Sequence, residues 1–329
     1  MKAFTNANPK TVAQALTVIR DATSANRRVA ILGGGSDMLG MMKEQLVAPD
    51  LVVRLKSIGG LDQVKADKGG GVTIGGQITL DALTRHDVVR ERYRVLADAA
   101  SDVATPQIRN VATLAGNLCQ RPWCWYYRNG FHCFKAGGNT CYSANGENEF
   151  HAIFGGGPSY IVHPSDTAPA LVALDASFTV AGPSGRRVVK AAEFFTLPTV
   201  NAARENVLAD GEILESVTLP AARAGVRSTY HKVMDREAWT HAVVSAALVL
   251  DMNGDTCRSA RVVLGGVAPV PWPLPEVDAL LAGQRITAAV AAQAGERAVA
   301  GARPLAKNGY KVALTRNLVT RALQDLAHG

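Results

Sequence analysis

Apolar residues recur at helical spacing from Thr11 to Ala22, where Val12, Ala15, Leu16 and Ile19 share a face and Pro9 stands just upstream. Arg28–Leu32 is a short apolar run stopped by Gly33-Gly34-Gly35, which predicts a buried strand and a glycine turn. Ser36 or Asp37 can then cap a short helix reaching Lys43. Leu51–Leu55 and Val72–Ile74 predict two more strands, the first ending near Gly59-Gly60 and the second set between glycine clusters. Thr79–Val89 reads as a helix capped by Thr79, and Glu91–Asp102 as another. This alternation of strands, glycine clusters and short helices indicates an α/β or α+β domain with loops built to approach a ligand.

Residues 105–165 break the pattern. The segment is rich in turns and interleaves Trp123, Trp125, Tyr126, Tyr127, Phe131 and Phe134 with cysteines. A loop this long in a compact chain is usually functional. Beyond it, Ala168–Ala176 is an apolar helix or strand, and Ser177–Val180 starts a hairpin turning at Gly182-Pro183-Ser184-Gly185. Glu212–Leu219 is a strand ended by Pro220, and Pro220–Gly225 is the best linker candidate. Strands over 226–234, 242–251 and 257–267 predict a three-stranded antiparallel sheet, with its last turn at Asp251–Asp255. The proline-rich stretch 269–275 interrupts, and helices follow at about 276–282, 287–300 and 308–326. The 329 residues therefore divide into domains over 1–222 and 223–329.

Composition narrows the function. The formal charge of +7 is scattered, without a block of five Lys or Arg, which argues for solubility and an acidic ligand rather than nucleic acid. The apolar run Ala242–Leu250 is broken by Ser245 and falls far short of the roughly 20 residues of a membrane span. The first residues lack the charged-then-apolar pattern of a signal peptide. A cytoplasmic location is expected, unless a partner carries the folded chain elsewhere.

Four of the five cysteines, Cys119, Cys124, Cys133 and Cys141, fall within 23 residues, with spacings C-x4-C, C-x8-C and C-x7-C. Structural zinc sites start from paired knuckles, and only the first gap fits one. Longer, irregular spacings suit a loop wrapped round a [4Fe–4S] cubane. Zinc and unligated thiols remain the alternatives, and Cys257 reads as an inert thiol. The strand–Gly33-Gly34-Gly35–Ser36–Asp37–helix pattern lets backbone approach a phosphate, but Met38 stands where G-x-G-x-x-G needs its third glycine. Thr113–Asn117 offers small and polar residues to a second ligand edge. Asp166, in His163-Pro164-Ser165-Asp166, can cap a helix or bind a hydroxyl, the cap being the simpler reading. No nucleophile elbow and no zinc-protease helix occur, and the histidines have no convincing metal-ligand spacing.

Together these residues are identifiable. Ala30–Leu39 with Met42-Lys43 resembles the first FAD-pyrophosphate loop of molybdenum hydroxylase flavoprotein subunits, the family of xanthine dehydrogenase and carbon monoxide dehydrogenase. Gln107–Asn117 resembles the second FAD loop, and His163–Asp166 to Ala170-Leu171 a third segment. Gly211–Ser216 and Tyr230-His231-Lys232 resemble segments that reach the flavin, and Gly265–Pro269 the C-terminal domain. The cysteine loop, about 117–160, resembles the subset with an extra [4Fe–4S] cluster, which includes bacterial aldehyde oxidoreductases and 4-hydroxybenzoyl-CoA reductase. One departure concerns the cluster. Relatives can carry a cysteine four residues before the His-Pro-Ser-Asp histidine, where this chain has Ser159, so Cys119 is expected as the fourth thiolate. Ala115 replaces a frequent glycine and Ser36 the usual threonine.

The resemblance implies an α+β fold. It comprises a two-subdomain FAD-binding domain of the PCMH/vanillyl-alcohol-oxidase type with an inserted cysteine loop, then the C-terminal sheet-and-helix domain. It implies FAD held by Leu32, Gly33, Gly34, Gly35, Ser36, Asp37, Met38 and Leu39, by Thr105, Ile108, Arg109, Asn110, Thr113, Ala115, Gly116 and Asn117, and by Asp166, Ile213, Leu214 and Lys232. Asp166 is expected along the ribityl or phosphate part, and Lys232 as a cation that favours reduced flavin. The implied partners are a large molybdenum-cofactor subunit and a small subunit with two [2Fe–2S] clusters, with a dimer of such heterotrimers as a further step. The extra cluster would relay an electron, store one or staple the loop; relatives that work without it favour the last two. A stand-alone flavin oxidoreductase and a zinc-stabilised binding module are the rival classes. Periplasmic delivery by a partner's twin-arginine signal is the alternative location.

Overall fold

The computed structural model describes residues 1–236 and 240–328, with the side chain of His328 excepted. A small parallel sheet opens the chain, from β1 (Thr5–Ala7), β2 (Val29–Leu32) and β3 (Leu51–Arg54), in the order β1-β3-β2. The helix Val12–Ser24 packs on it. Its start is fixed by the Thr11 hydroxyl, which accepts from the Gln14 N–H at 3.1 Å. Its apolar face, Val12, Ala15, Ile19 and Ala22, is buried against Leu51, Val53 and Leu55.

The second sheet is antiparallel, built from β4 (Val64–Ala66), β5 (Val72–Gly75), β6 (Ser177–Gly182), β7 (Gly185–Lys190) and β8 (Ile213–Leu219) in the order β4-β5-β8-β6-β7. Strand β8 is central. Period-two alternation sends Ile213 into the core around the first helix and Leu214 into the larger core that holds Phe178, Phe194 and Leu96. One strand thus joins the two layers of the N-terminal half.

The third sheet contains the three expected antiparallel strands, β9 (Val226–Val233), β10 (Val244–Asn253) and β11 (Thr256–Gly265). A fourth strand, β12 (Trp272–Pro273), pairs on the edge of β11 inside the proline-rich stretch. The helices Pro275–Leu281, Ala288–Val299 and Tyr310–His328 cover it. The α+β class holds throughout. Among the described residues no helix is long and apolar enough to cross a membrane.

Two helix expectations need correction. Thr79–Val89 is split into Leu80–Arg85 and Asp87–Arg92 by an extended His86. The next helix starts only at Arg94, because Tyr93 leaves helical geometry, is fully buried and donates its hydroxyl to the Pro220 carbonyl at 2.7 Å. Ala168–Ala176, open between helix and strand, is the helix Thr167–Ala173 followed by a turn.

The C-terminal core carries one strained carboxyl. Asp278 accepts the Val262 N–H at 2.8 Å, and burial lifts its pKa from 3.8 to about 6. The unfolded chain ionises first, so this group lowers stability as pH rises from about 4 through 6. Asp278→Asn keeps the acceptor and removes the charge. It is expected to melt later than the parent at pH 7, by about 1 kcal/mol after allowance for solvent screening, and equally at pH 4. Thermal melts across that range check this, and a constant difference between the two proteins would refute it.

Candidate functional site

The turn after β2 has an unusual hydrogen-bond account. Among the described residues, the backbone N–H groups of Gly33, Gly34, Gly35, Ser36 and Asp37 donate to no protein acceptor. Gly35 adopts a φ of +83°, the left-handed backbone that glycine allows and that anion-binding nests use. A run of unpaired N–H groups beside a glycine turn is suited to a diphosphate.

The second loop packs directly on the first. A Cβ on Gly33 would lie 2.5 Å from Thr113 Oγ1, and one on Gly34 would lie 1.9 Å from the Val111 carbonyl oxygen. This second loop keeps its own amides busy. Leu114 N–H donates to Ile78 and Ala115 N–H to Gly76, while Gly116 N–H donates to Thr113 Oγ1 at 3.2 Å. It therefore offers side chains where the first offers backbone. Asn117 Oδ1 accepts from Ser165 Oγ at 2.6 Å and Thr167 Oγ1 at 2.7 Å, which leaves its NH₂ as the group free for a ligand. Ser36, Asn110 and Gly116 are exposed at this junction, and so are the apolar Leu39 and Val111. Sequence reading missed Gln77, whose buried Oε1 has no partner and lies 3.2 Å from the position of a Gly33 Cβ. The glycine pair before it was its only signal.

Other expected site residues have structural duties. Leu32 is core, and Met38 packs beside Met41 and Tyr127. Thr105 caps the short helix Pro106–Arg109, with Ile108 half-buried on it, and Arg109 donates to the Val103 carbonyl. Ala115 sits against the Gly75-Gly76 turn, where a Cβ on Gly76 would also meet the Leu214 carbonyl oxygen at 2.8 Å. Ile213 and Leu214 are both buried.

Three acidic or basic expectations change. Asp37 does not cap the helix Met38–Lys43. Its carboxylate instead accepts the Arg121 N–H at 2.9 Å and Arg128 Nη2 at 2.6 Å, so it grips the cysteine loop. Asp166 does not cap its helix either; Ser165 Oγ takes the Ala168 N–H at 3.1 Å. Asp166 lies buried, with Oδ1 accepting from Tyr230 at 2.7 Å and Oδ2 from Lys232 Nζ at 2.8 Å. Lys232 also donates to the Asp102 carbonyl at 2.8 Å, and its side chain is wholly buried. It is therefore half of a neutralised pair rather than a free cation.

The cysteine loop is tied down by charge. Arg128 stacks over Trp123 at 4.2 Å while paired with Asp37, and buried Lys135 meets Glu205 at 2.9 Å. On the far side, Lys311 Nζ donates to the Phe150, His151 and Gly266 carbonyls, and Asn308 Nδ2 to that of His151. Apart from the Arg128–Trp123 stack, none of these anchors was visible in the sequence, because each partner is far away along the chain.

Within the loop, Cys124, Cys133 and Cys141 line one small space, and Ser159 lines it too. Burial pushes the Cys124 thiol up to about 11 against the backbone N–H groups of Tyr127 and Tyr126; Cys133 and Cys141 push the same way as burial. Tyr160 N–H donates to Cys141 Sγ at 3.4 Å. Cys119 departs from expectation. It closes the helix Leu114–Leu118, packs on the N-terminal core, and its thiol is pushed by burial alone up to about 12. It does not line the shared space. Cys257 is buried and donates to the Ser259 carbonyl, as an inert thiol would.

A family model described as the FAD binding domain in molybdopterin dehydrogenase matches residues 2–222, two-thirds of the chain. This is a member of the FAD-binding subunit family of the molybdenum hydroxylases. A second model, the CO dehydrogenase flavoprotein C-terminal domain, matches residues 229–326 of the subunit. The aldehyde oxidoreductase FAD-binding subunit PaoB of Escherichia coli K12 is 34% identical over 99% of this subunit and 98% of its own length. The carbon monoxide dehydrogenase medium chain of Hydrogenophaga pseudoflava is 27% identical over 96% of this subunit and 94% of its own length. A solved structure of the carbon monoxide dehydrogenase from that organism superposes with a TM-score of 0.77 at 25% identity, covering 98% of this subunit and 96% of the matched chain. The subunit is thus an oxidoreductase flavoprotein.

Proposed function

We propose that this subunit works in a heterotrimer, receiving electrons from two [2Fe–2S] clusters on a small partner. A large molybdenum-cofactor partner would oxidise an aldehyde or an N-heterocycle, and this subunit would pass the electrons to an external acceptor. Pairing of two heterotrimers extends the reading. The FAD-binding domain is taken as 1–222 and the C-terminal domain as 223–329. Bound FAD supplies the chemistry of accepting electrons singly or in pairs.

The chain's own residues prepare that site. The Gly33–Asp37 amides hold the diphosphate without needing a cation, and the Asn117 NH₂ and Ser36 hydroxyl bind along it. Leu39 and Val111 exclude water where they border the groove. The Asp166–Lys232 pair, with Tyr230, holds the helix Thr167–Ala173 against β9 and so fixes Ser165 and Thr167 behind Asn117. The observation that carries the reading is the unpaired amide run braced by the second loop.

The same reading gives the cysteine loop a [4Fe–4S] cluster. Three thiols line one space, and their irregular spacing along the chain carries this part of the reading. Spacings of four, eight and seven residues between the thiols from Cys119 to Cys141 suit a polynuclear group better than the paired knuckles of zinc. A cytoplasmic location completes the proposal, with partner-carried export as the alternative.

Anaerobic purification with iron, sulfide, zinc and flavin assays tests this. About one FAD with roughly four irons and four sulfides per chain is expected. Flavin with stoichiometric zinc would remove the cluster and keep the electron-transfer role. A folded complex without flavin would overturn the whole reading.

A further inference from the structure

The proposed cluster site presents three thiols, and the fourth wall of the space is oxygen. Ser159 lines it together with Cys124, Cys133 and Cys141. The Ser159 residue is only 3% exposed, and among the described residues nothing hydrogen-bonds to its hydroxyl. With no protein partner, that oxygen is free to bind a group held in the space together with the three thiols. Ser143 and Thr140 line the space too, but their hydroxyls are engaged with Cys141 Sγ at 3.1 Å and Asn139 Oδ1 at 3.2 Å; His151, 3.3 Å from Cys124 Sγ, does not line it. Cys119 is packed against the N-terminal core at the end of its helix and does not line the space.

We propose that Ser159, and not Cys119, is the fourth ligand, so that three irons of the cluster carry thiolate and one carries the serine oxygen. This rests on the cluster reading given above. On binding, the Ser159 hydroxyl gives its proton to solvent as the oxygen–iron bond forms. Oxygen is a harder donor than thiolate, so the iron it holds is the one most easily released. When ferricyanide removes one electron from a [4Fe–4S]²⁺ core, the oxidised core then gives up that iron as Fe²⁺ and leaves [3Fe–4S]⁺. The chain is thus built to move between four-iron and three-iron forms under oxidation, which four thiolates would resist.

The test uses the full chain purified anaerobically with its partners, as parent, Ser159→Cys, Ser159→Ala and Cys119→Ala. Iron content and EPR spectra are followed during ferricyanide titration, with flavin content and melting temperature as checks on folding. The parent is expected to lose about one iron in four and to develop the three-iron signal. Ser159→Cys is expected to lose that iron at least about tenfold more slowly, and Ser159→Ala to be isolated largely in the three-iron form. Cys119→Ala should match the parent. Loss of iron in Cys119→Ala, with Ser159→Ala unchanged, would overturn the assignment and leave the cluster standing. Absence of iron and sulfide from the parent itself would overturn the cluster, and the assignment with it.

Discussion

Replacing Lys232 with Met is expected to destabilise the chain by about 3–5 kcal/mol, because it strands a buried carboxylate. Asp166 is 4% exposed, and apart from Lys232 its side-chain partner is the Tyr230 hydroxyl. Removing the ammonium also frees the Asp102 carbonyl that Lys232 serves at 2.8 Å. At this chain length the melting temperature should fall by roughly 10 °C. The double variant Asp166→Asn/Lys232→Met removes both charges and keeps an acceptor for Tyr230, so most of the loss should be recovered. Melting curves of the parent, the single and the double variant decide it. A double variant as unstable as the single one would mean that the pair matters for something other than charge balance. Flavin affinity in the double variant should stay near that of the parent, since the pair supports the site from behind.

Gly34→Ala should act on flavin most of all. The new Cβ would lie 1.9 Å from the Val111 oxygen and 2.8 Å from Ala112 Cα, both backbone atoms that cannot swing aside. One loop must move, and overpacking of this kind costs about 1–3 kcal/mol. The displaced loop is the one that carries the free amides, so FAD affinity should weaken about 10- to 100-fold, as each 1.4 kcal/mol is a tenfold change. Gly40→Ala is the matched control. A Cβ there meets nothing within 4 Å, and it lies within the helix Met38–Lys43, so the change should be neutral or stabilising by up to about 1 kcal/mol. FAD titration of the deflavinated proteins makes the comparison. Equal affinity in both variants would show that the packing of the two loops does not shape the amide nest.

What the sequence made legible was local. The first helix, the Thr79 cap, the strand before Gly33, and the hairpin at Gly182–Gly185 depend on neighbours within a few residues, and all formed as read. What it hid was set by distant partners. Asp37 reads as a cap until Arg128, 91 residues on, draws its carboxylate away. Asp166 reads as a cap or a ligand until Tyr230 and Lys232 arrive on β9. The helix from Thr79 looks continuous until His86 turns extended, and Tyr93 is buried by a carbonyl 127 residues away. The cysteine loop shows the same limit. Spacing selected four thiols near in sequence, whereas the space they were meant to share takes three of them and a serine 18 residues beyond the last.

The grip of the last helix on the cysteine loop also sets an order of events during synthesis. Lys311 reaches the Phe150 carbonyl across 161 residues of chain, and Asn308 and Lys307 hold the same stretch. While the ribosome is still making the last helix, the glycine turn and the loop packed on it already have their partners, but the wall beside Cys124 lacks its outer support. The two regions of the nascent subunit therefore become complete at different times. The glycine turn is complete early, and the thiol-lined space reaches its final shape only when the closing helix docks.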